Sequence, residues 1–136
     1  MKKQDKPAKS QLHPYAKIGR KTREKLLGAA APKTDRKAAD TLIPELADLS
    51  DDANWGQIWS RPGLDLRTRS LCTISALLAL ERYKYAYMHM RGARRIGISR
   101  EELAEAVTQL TFYASLSVVH EGLALVVRAY EDEPLR

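Results

Sequence analysis

The sequence predicts an all-α protein with one folded domain, and three observations carry that expectation. From about residue 33 onward, apolar residues recur at three- and four-residue spacing, and no run alternates apolar and polar residues as a half-buried strand would. Capping and breaking signals divide this periodic body into pieces of helix length. The 136 residues, 44% of them apolar, suffice for one hydrophobic core and leave little for a second.

Residues 1–33 read as a basic arm and residues 34–136 as the helical domain. Residues 1–37 carry twelve basic and three acidic groups, a net of +9, whereas the other 99 carry eleven and fourteen, a net of −3. The overall charge of +6 therefore belongs to the arm. Low hydrophobicity and prolines at 7, 14 and 32 predict an arm that is flexible or that wraps a neighbouring subunit.

The first helix, about 34–49, places Ala38, Leu42, Leu46 and Leu49 at helical spacing, with Pro44 as a kink or break. Ser50-Asp51-Asp52 then offers turn and capping groups. "NWGQIWSRPGLD" follows as a short segment anchored by Trp55, Ile58 and Trp59, and it stops at Pro62-Gly63. Asp65 caps the next helix, about 66–81, which buries Leu71, Ile74, Leu77 and Leu78. A helix over about 83–96 ends at Gly97. Ser99 with Glu102 forms a capping box that opens a helix over about 100–115, with Leu103, Val107, Leu110 and Ala114 on one stripe. The last helix, about 118–131, buries Val119, Leu123, Val126 and Tyr130.

Composition narrows the function classes. No apolar run is long enough to cross a bilayer, and the basic opening lacks the apolar stretch of a secretory signal, so a cytoplasmic protein with no membrane partner is expected. Cys72, the only cysteine, lies in "SLCTISALLAL"; it forms no internal disulfide and is expected to pack as a small hydrophobe. His13, His89 and His120 show no His-x-x-x-His pair and no Cys-His cluster, so no metal centre is expected. No nucleophile-elbow pattern is present. The slightly acidic body offers no nucleic-acid-binding face, and a nucleic-acid role, resting on the arm alone, ranks last.

The stretch "ERYKYAYMHMRGARR" holds the most informative residue. A helical pitch puts Tyr85, His89, Gly92, Ala93 and Ile96 on one face and Lys84, Arg91 and Arg95 on another. His89 therefore points inward, where a lone histidine is more often a satisfied core residue than a reagent.

"WGQIWSRPGLDLRTRSLCTISALLALER" followed by "HMRGARRIGISREELAEAVTQLTFYA" resembles the carboxymuconolactone decarboxylase family, the gamma-carboxymuconolactone decarboxylases in particular, over about residues 35–131. The most specific pieces are Trp59-Ser60-Arg61-Pro62-Gly63-Leu64, Thr68-Arg69-Ser70-Leu71, and His89-x-Arg91-x-Ala93 leading into Gly97-Ile98-Ser99-Arg100-Glu101-Glu102. The resemblance implies an alkylhydroperoxidase D-like helical bundle, assembled as a homo-trimer or homo-hexamer. It also implies a cofactor-free decarboxylation of a small carboxylated lactone, keto acid or polyketide-like compound. The peroxidase branch of that superfamily carries Cys-x-x-Cys four residues before a histidine; aligned on His89, those positions are Arg82 and Tyr85, so thiol peroxidase chemistry is lost. Gln57 stands where "WGEIW" has glutamate, Tyr83-Lys84-Tyr85 replaces an acidic run, and Tyr113-Ala114-Ser115-Leu116-Ser117 replaces "YCGVP".

Decarboxylation needs an anion-binding group, a stabiliser for the electron pair that CO2 leaves behind, and a proton donor. By their match to the motif, His89 is the candidate acid and Arg61 and Arg69 are the candidate anion-binding groups. Tyr85, one turn before His89, could orient the imidazole or line a pocket, and Gln57 can hydrogen-bond a substrate but cannot act as a carboxylate base. Trp55 and Trp59 read first as packing residues, with Trp55 also able to stack on a ligand. His120, beside Glu121, is an outlying substrate-binding candidate. The alternatives are a diverged enzyme that isomerises or cyclises by proton transfer and a non-catalytic small-molecule-binding protein.

Overall fold

A computed structural model describes residues 12–29, 38, 39 and 41–135. Their regular elements are α1 (Ala16–Leu27), α2 (Glu45–Leu49), a π-helix (Ser50–Trp59), α3 (Leu66–Ala79), α4 (Tyr83–Arg95), α5 (Arg100–Thr108), a 3-10 turn (Gln109–Phe112) and α6 (Leu116–Glu131). The fold is all-α, as the periodicity predicts. The described residues form two compact units, one of 12–23, 38–39 and 41–61, the other of 24–29 and 62–135.

The second unit is a bundle whose boundaries are set by caps. Asp65 accepts the Thr68 N–H at 2.7 Å to start α3. Ser99 and Glu102 bond each other's backbone N–H groups at 3.1 and 2.7 Å to start α5. Ser115 accepts from Val118 at 3.3 Å and starts α6 at Leu116, two residues before the sequence places it. Helix α4 packs on α3 and α6, and α6 also packs on α5. Ile74, Leu78, Ala86, Met90, Ala93, Ile98, Leu103, Val107, Val118, Val119 and Val126 fill the core between them. Leu26 and Leu27 are buried too, and Gly92 leaves them room: a Cβ there would lie 3.0 Å from side-chain atoms of each leucine. The arginines closing α4 tie down the chain after α6, with Arg94 donating to the Asp132 carbonyl and Arg95 to the Leu135 carbonyl, both at 2.8 Å.

The first unit departs most from the sequence reading. The expected helix over 34–49 is helical at 38, 39, 41 and 42 and again from Glu45, and Pro44, at the N-cap of α2, makes the expected break; residues 34–37 and 40 lie outside the described residues. Leu42, Leu46 and Leu49 are exposed rather than core. Ser50-Asp51-Asp52 makes no turn: helix α2 runs directly into the π-helix, and both aspartates are buried. Within the segment read as an arm, residues 16–27 form α1, whereas residues 1–11 lie outside the described residues. Cys72 is exposed, not packed.

Helix α1 and the π-helix meet backbone to backbone at Gly19 and Gly56. A Cβ on Gly19 would fall 1.7 Å from the Asp51 carbonyl oxygen and 2.6 Å from the Gly56 nitrogen, and one on Gly56 would fall 2.6 Å from the Tyr15 carbonyl oxygen. Backbone cannot rotate aside as a side chain can. Gly19→Ala is therefore expected to lower unfolding stability by about 3 kcal/mol, the upper end for overpacking; an unchanged urea midpoint would show that the two segments separate at little cost.

Candidate active site

His89 lies in the middle of α4, on the face that also carries Ala86, Met90 and Ala93 into the core, and it retains 8% of its surface. It is thus nearly enclosed but still reachable at one edge. Burial pushes the imidazole pKa down to about 4, so the ring is neutral at physiological pH. The sequence argument for His89 as an acid rests on an ordinary histidine that titrates near neutrality. The structure instead supplies a neutral imidazole, able to donate one hydrogen bond and accept another.

That shift has a sign that can be tested. Between pH 6.5 and about 4 the unfolded chain protonates this histidine and the native chain does not. Unfolding stability should fall as the pH drops through that window, by up to about 3 kcal/mol from this group. In paired urea titrations at pH 7 and pH 4, His89→Gln should lose less stability than the wild type by that amount; equal losses would mean that His89 is not desolvated.

The second unit also holds Tyr85, Arg69 and His120. Tyr85 stands one turn before His89 and is 48% exposed, at the solvent end of the same helix face. Arg69 is half-buried on α3 and donates from Nε to the Leu64 carbonyl at 3.2 Å, which turns that side of its fork toward the chain itself. His120 is exposed on α6, whose Val118, Val119, Gly122 and Val126 face inward. Among these, only Tyr85 and His89 share a helix face.

The first unit holds Trp55, Gln57 and Arg61. Trp55 and Trp59 are buried with ring centroids 4.7 Å apart at an interplanar angle of 35°, the packing role expected for both. Gln57 and Arg61 are exposed. The π winding places residues five apart side by side, so the Gln57 amide nitrogen donates to Asp52 Oδ2 at 2.8 Å. Asp52 Oδ1 accepts the Tyr15 backbone N–H at 2.6 Å. Asp51, 1% exposed, takes Arg23 Nε at 2.8 Å and Arg20 Nε at 3.4 Å.

Sequence reasoning passed over Asp51 and Asp52 because an Asp-Asp pair after a leucine-rich stretch reads as a turn. The signal lay in α1, whose Arg20 and Arg23 needed acidic partners. Among the described residues, no three His, Cys, Asp or Glu side chains are grouped so as to hold a metal ion, and no helix is long and apolar enough to cross a membrane.

Comparison with known proteins places these residues in context. The model of the carboxymuconolactone decarboxylase family matches residues 44–127, which include every candidate named above. The chain is 38% identical over 78 residues to a 4-carboxymuconolactone decarboxylase of Acinetobacter baylyi, a match covering 57% of this chain and 58% of that one. It is 27% identical over 114 residues to the nitrosuccinic acid decarboxylase of Metarhizium robertsii, covering 84% and 80% of the two chains. An uncharacterized 15.0 kDa protein of Paracoccus denitrificans is 27% identical over 101 residues, covering 73% and 75%.

Proposed function

The chain belongs to the carboxymuconolactone decarboxylase family, and from that premise we propose that it is a cytoplasmic decarboxylase that works without metal or organic cofactor. Its substrate is a small carboxylated lactone, keto acid or polyketide-like molecule whose carboxyl group sits on a carbon next to, or vinylogous with, an electron-withdrawing group. Two relatives support this substrate class. The names 4-carboxymuconolactone decarboxylase and nitrosuccinic acid decarboxylase each pair a carboxylate with an electron sink, a conjugated lactone in one and a nitro group in the other.

The observation that carries the reading is the near-buried, neutral imidazole of His89 within the matched segment. Arg69, in the same unit as His89, holds the substrate anion through the fixed fork of the guanidinium, and Arg61 is the second anion-binding candidate. The C–CO2 bond breaks, CO2 leaves, and the bonding pair moves into the conjugated carbonyl to form an enolate. His89 hydrogen-bonds the developing oxyanion, a contact strengthened by its poorly solvated surroundings. One proton then reaches the carbanion carbon, passed from water through the imidazole as one nitrogen gives up its proton and the other gains one. Tyr85 orients this ring or lines the pocket; Gln57 and His120 are the further substrate-binding candidates, and Trp55 packs against Trp59.

The protein acts as a homo-trimer or homo-hexamer in this account. Exposed Leu42, Leu46 and Leu49, together with Phe112 at 94% and Tyr113 at 80% exposure, provide apolar surface for such an assembly. Light scattering on the full chain would return a mass of three or six times 15.3 kDa, and a monomeric mass would remove this part of the proposal.

The enzymatic proposal is tested by CO2 release from gamma-carboxymuconolactone, nitrosuccinate and conjugated keto acids in the presence of a chelator. Release that stops on adding the chelator would contradict cofactor-independent chemistry. Binding of these acids without conversion would favour a non-catalytic role.

A further inference from the structure

We infer that Asp52 is a positioning residue that locks the Gln57 amide with its nitrogen turned inward, so that Gln57 offers its carbonyl oxygen to the substrate and selects molecules carrying a hydroxyl donor. This inference rests on the proposed function for the placement of Gln57 at the substrate. The geometry itself stands in the first unit alone.

A carboxylate has only acceptor sites to offer, so the atom of Gln57 that lies 2.8 Å from Asp52 Oδ2 must be the amide nitrogen. Nitrogen and oxygen share one planar carbon, and anchoring the first fixes the direction of the second. Asp52 is in turn fixed: it is 5% exposed, and its other oxygen accepts the Tyr15 N–H at 2.6 Å. The close approach of Tyr15 to Gly56 holds this backbone donor in place. Gln57 itself is exposed. Without Asp52 a glutamine is ambivalent, since rotation of its amide presents either a donor or an acceptor. With Asp52 accepting from the amide nitrogen, the carbonyl oxygen is turned outward as an acceptor, while the nitrogen keeps its second N–H.

The consequence for specificity is concrete. An acceptor rewards a hydroxyl on the substrate, as in an enol or phenol, and disfavours a second carboxylate or an ether oxygen at the same place. A glutamate at position 57 would set two carboxylates within hydrogen-bond distance and could keep this contact only by holding a proton. Glutamine makes the same contact with no proton held.

The test uses the full-length, nitrogen-15-labelled protein and two probes, 4-hydroxybenzoate and 4-methoxybenzoate, titrated while the Gln57 side-chain amide signals are followed by NMR. The wild type should bind the hydroxy acid about tenfold more tightly than the ether, the ratio that one hydrogen bond supplies. Gln57→Leu should bind the two equally. Asp52→Asn should narrow the ratio and shift the Gln57 amide protons away from the position they hold against a carboxylate. Because Asp52 is buried, Gln57→Leu provides the reading if Asp52→Asn fails to fold. Equal affinities in the wild type, a preference that survives Gln57→Leu, or failure of the hydroxy acid to bind would overturn the inference. The decarboxylase reading is judged separately, by CO2 release. A Gln57-dependent preference without CO2 release would sink that reading alone, and CO2 release with no hydroxyl preference would sink this one alone.

Discussion

His89→Gln is expected to lower CO2 release by about 10²- to 10⁴-fold, the range for losing a positioned proton-transfer group, while the helical fold survives. Glutamine fills a similar volume and can still make hydrogen bonds at a site where only 8% of the residue is exposed. What it cannot do is accept a proton on one nitrogen while releasing one from the other. Circular dichroism at neutral pH should superimpose on that of the wild type. The pH profile gives an independent check: with a pKa held down to about 4 by burial, the wild-type rate should stay level from pH 8 to about 5 and fall only near 4. A fall centred near 6.5 would point to an ordinary, solvated histidine. Full activity in His89→Gln would return His89 to the role of a core residue.

The second large effect is on stability. Asp51→Ala should destabilise the first unit by about 3–5 kcal/mol, because it strands the Arg23 charge on a side chain only 12% exposed. Arg23 and Asp51 form a two-point contact, Nε to Oδ1 at 2.8 Å and Nη2 to Oδ2 at 3.5 Å. Arg20→Ala provides the contrast, since its side chain is 51% exposed and its longer contact with Asp51 should be worth no more than about 1 kcal/mol. Removing both charges together, as Arg23→Met with Asp51→Leu, should recover most of the loss. The measurement is the urea midpoint of each variant, and an Asp51→Ala cost below about 1 kcal/mol would show that water reaches the pair.

These results bear on what could be read from residues alone. The bundle of the second unit was legible because its signals are local: Asp65 three residues before Thr68, Ser99 three before Glu102, and an apolar stripe through Leu103 and Val107. The segment of α1 was not, and the reason is chemical. Its buried face runs Gly19, Arg23, Leu26 and Leu27, at helical spacing but with a glycine and an arginine where a hydrophobic pattern demands apolar side chains. Glycine is buried there for close backbone approach and arginine because Asp51 receives it, and neither reason is visible without the partner segment. The π-helix escaped for a related reason, since a pattern search at 3.6 residues per turn misses a five-residue partnership such as Asp52 with Gln57. The leucines at 42, 46 and 49 show the converse, a regular stripe that this chain leaves exposed.

For the candidate site, the inward position of His89 followed from helical pitch, but its neutrality did not, because desolvation depends on how completely neighbouring helices enclose the ring. The motif around Gln57 could identify the position without saying which end of the amide faces outward. That polarity is set by Asp52, five places earlier, in a pair that by sequence reads as a turn.

The most direct test of the decarboxylase account is to run the wild-type protein in deuterium oxide with gamma-carboxymuconolactone and nitrosuccinate and to follow the products by carbon and proton NMR. The account predicts loss of the carboxyl carbon as CO2 from at least one of them, with one solvent deuterium on a carbon of the delocalised system that the lost carboxyl leaves behind. Substrate that exchanges a proton for deuterium while keeping its carboxyl group, or that remains unchanged, would contradict decarboxylation and leave an isomerising or binding protein in its place.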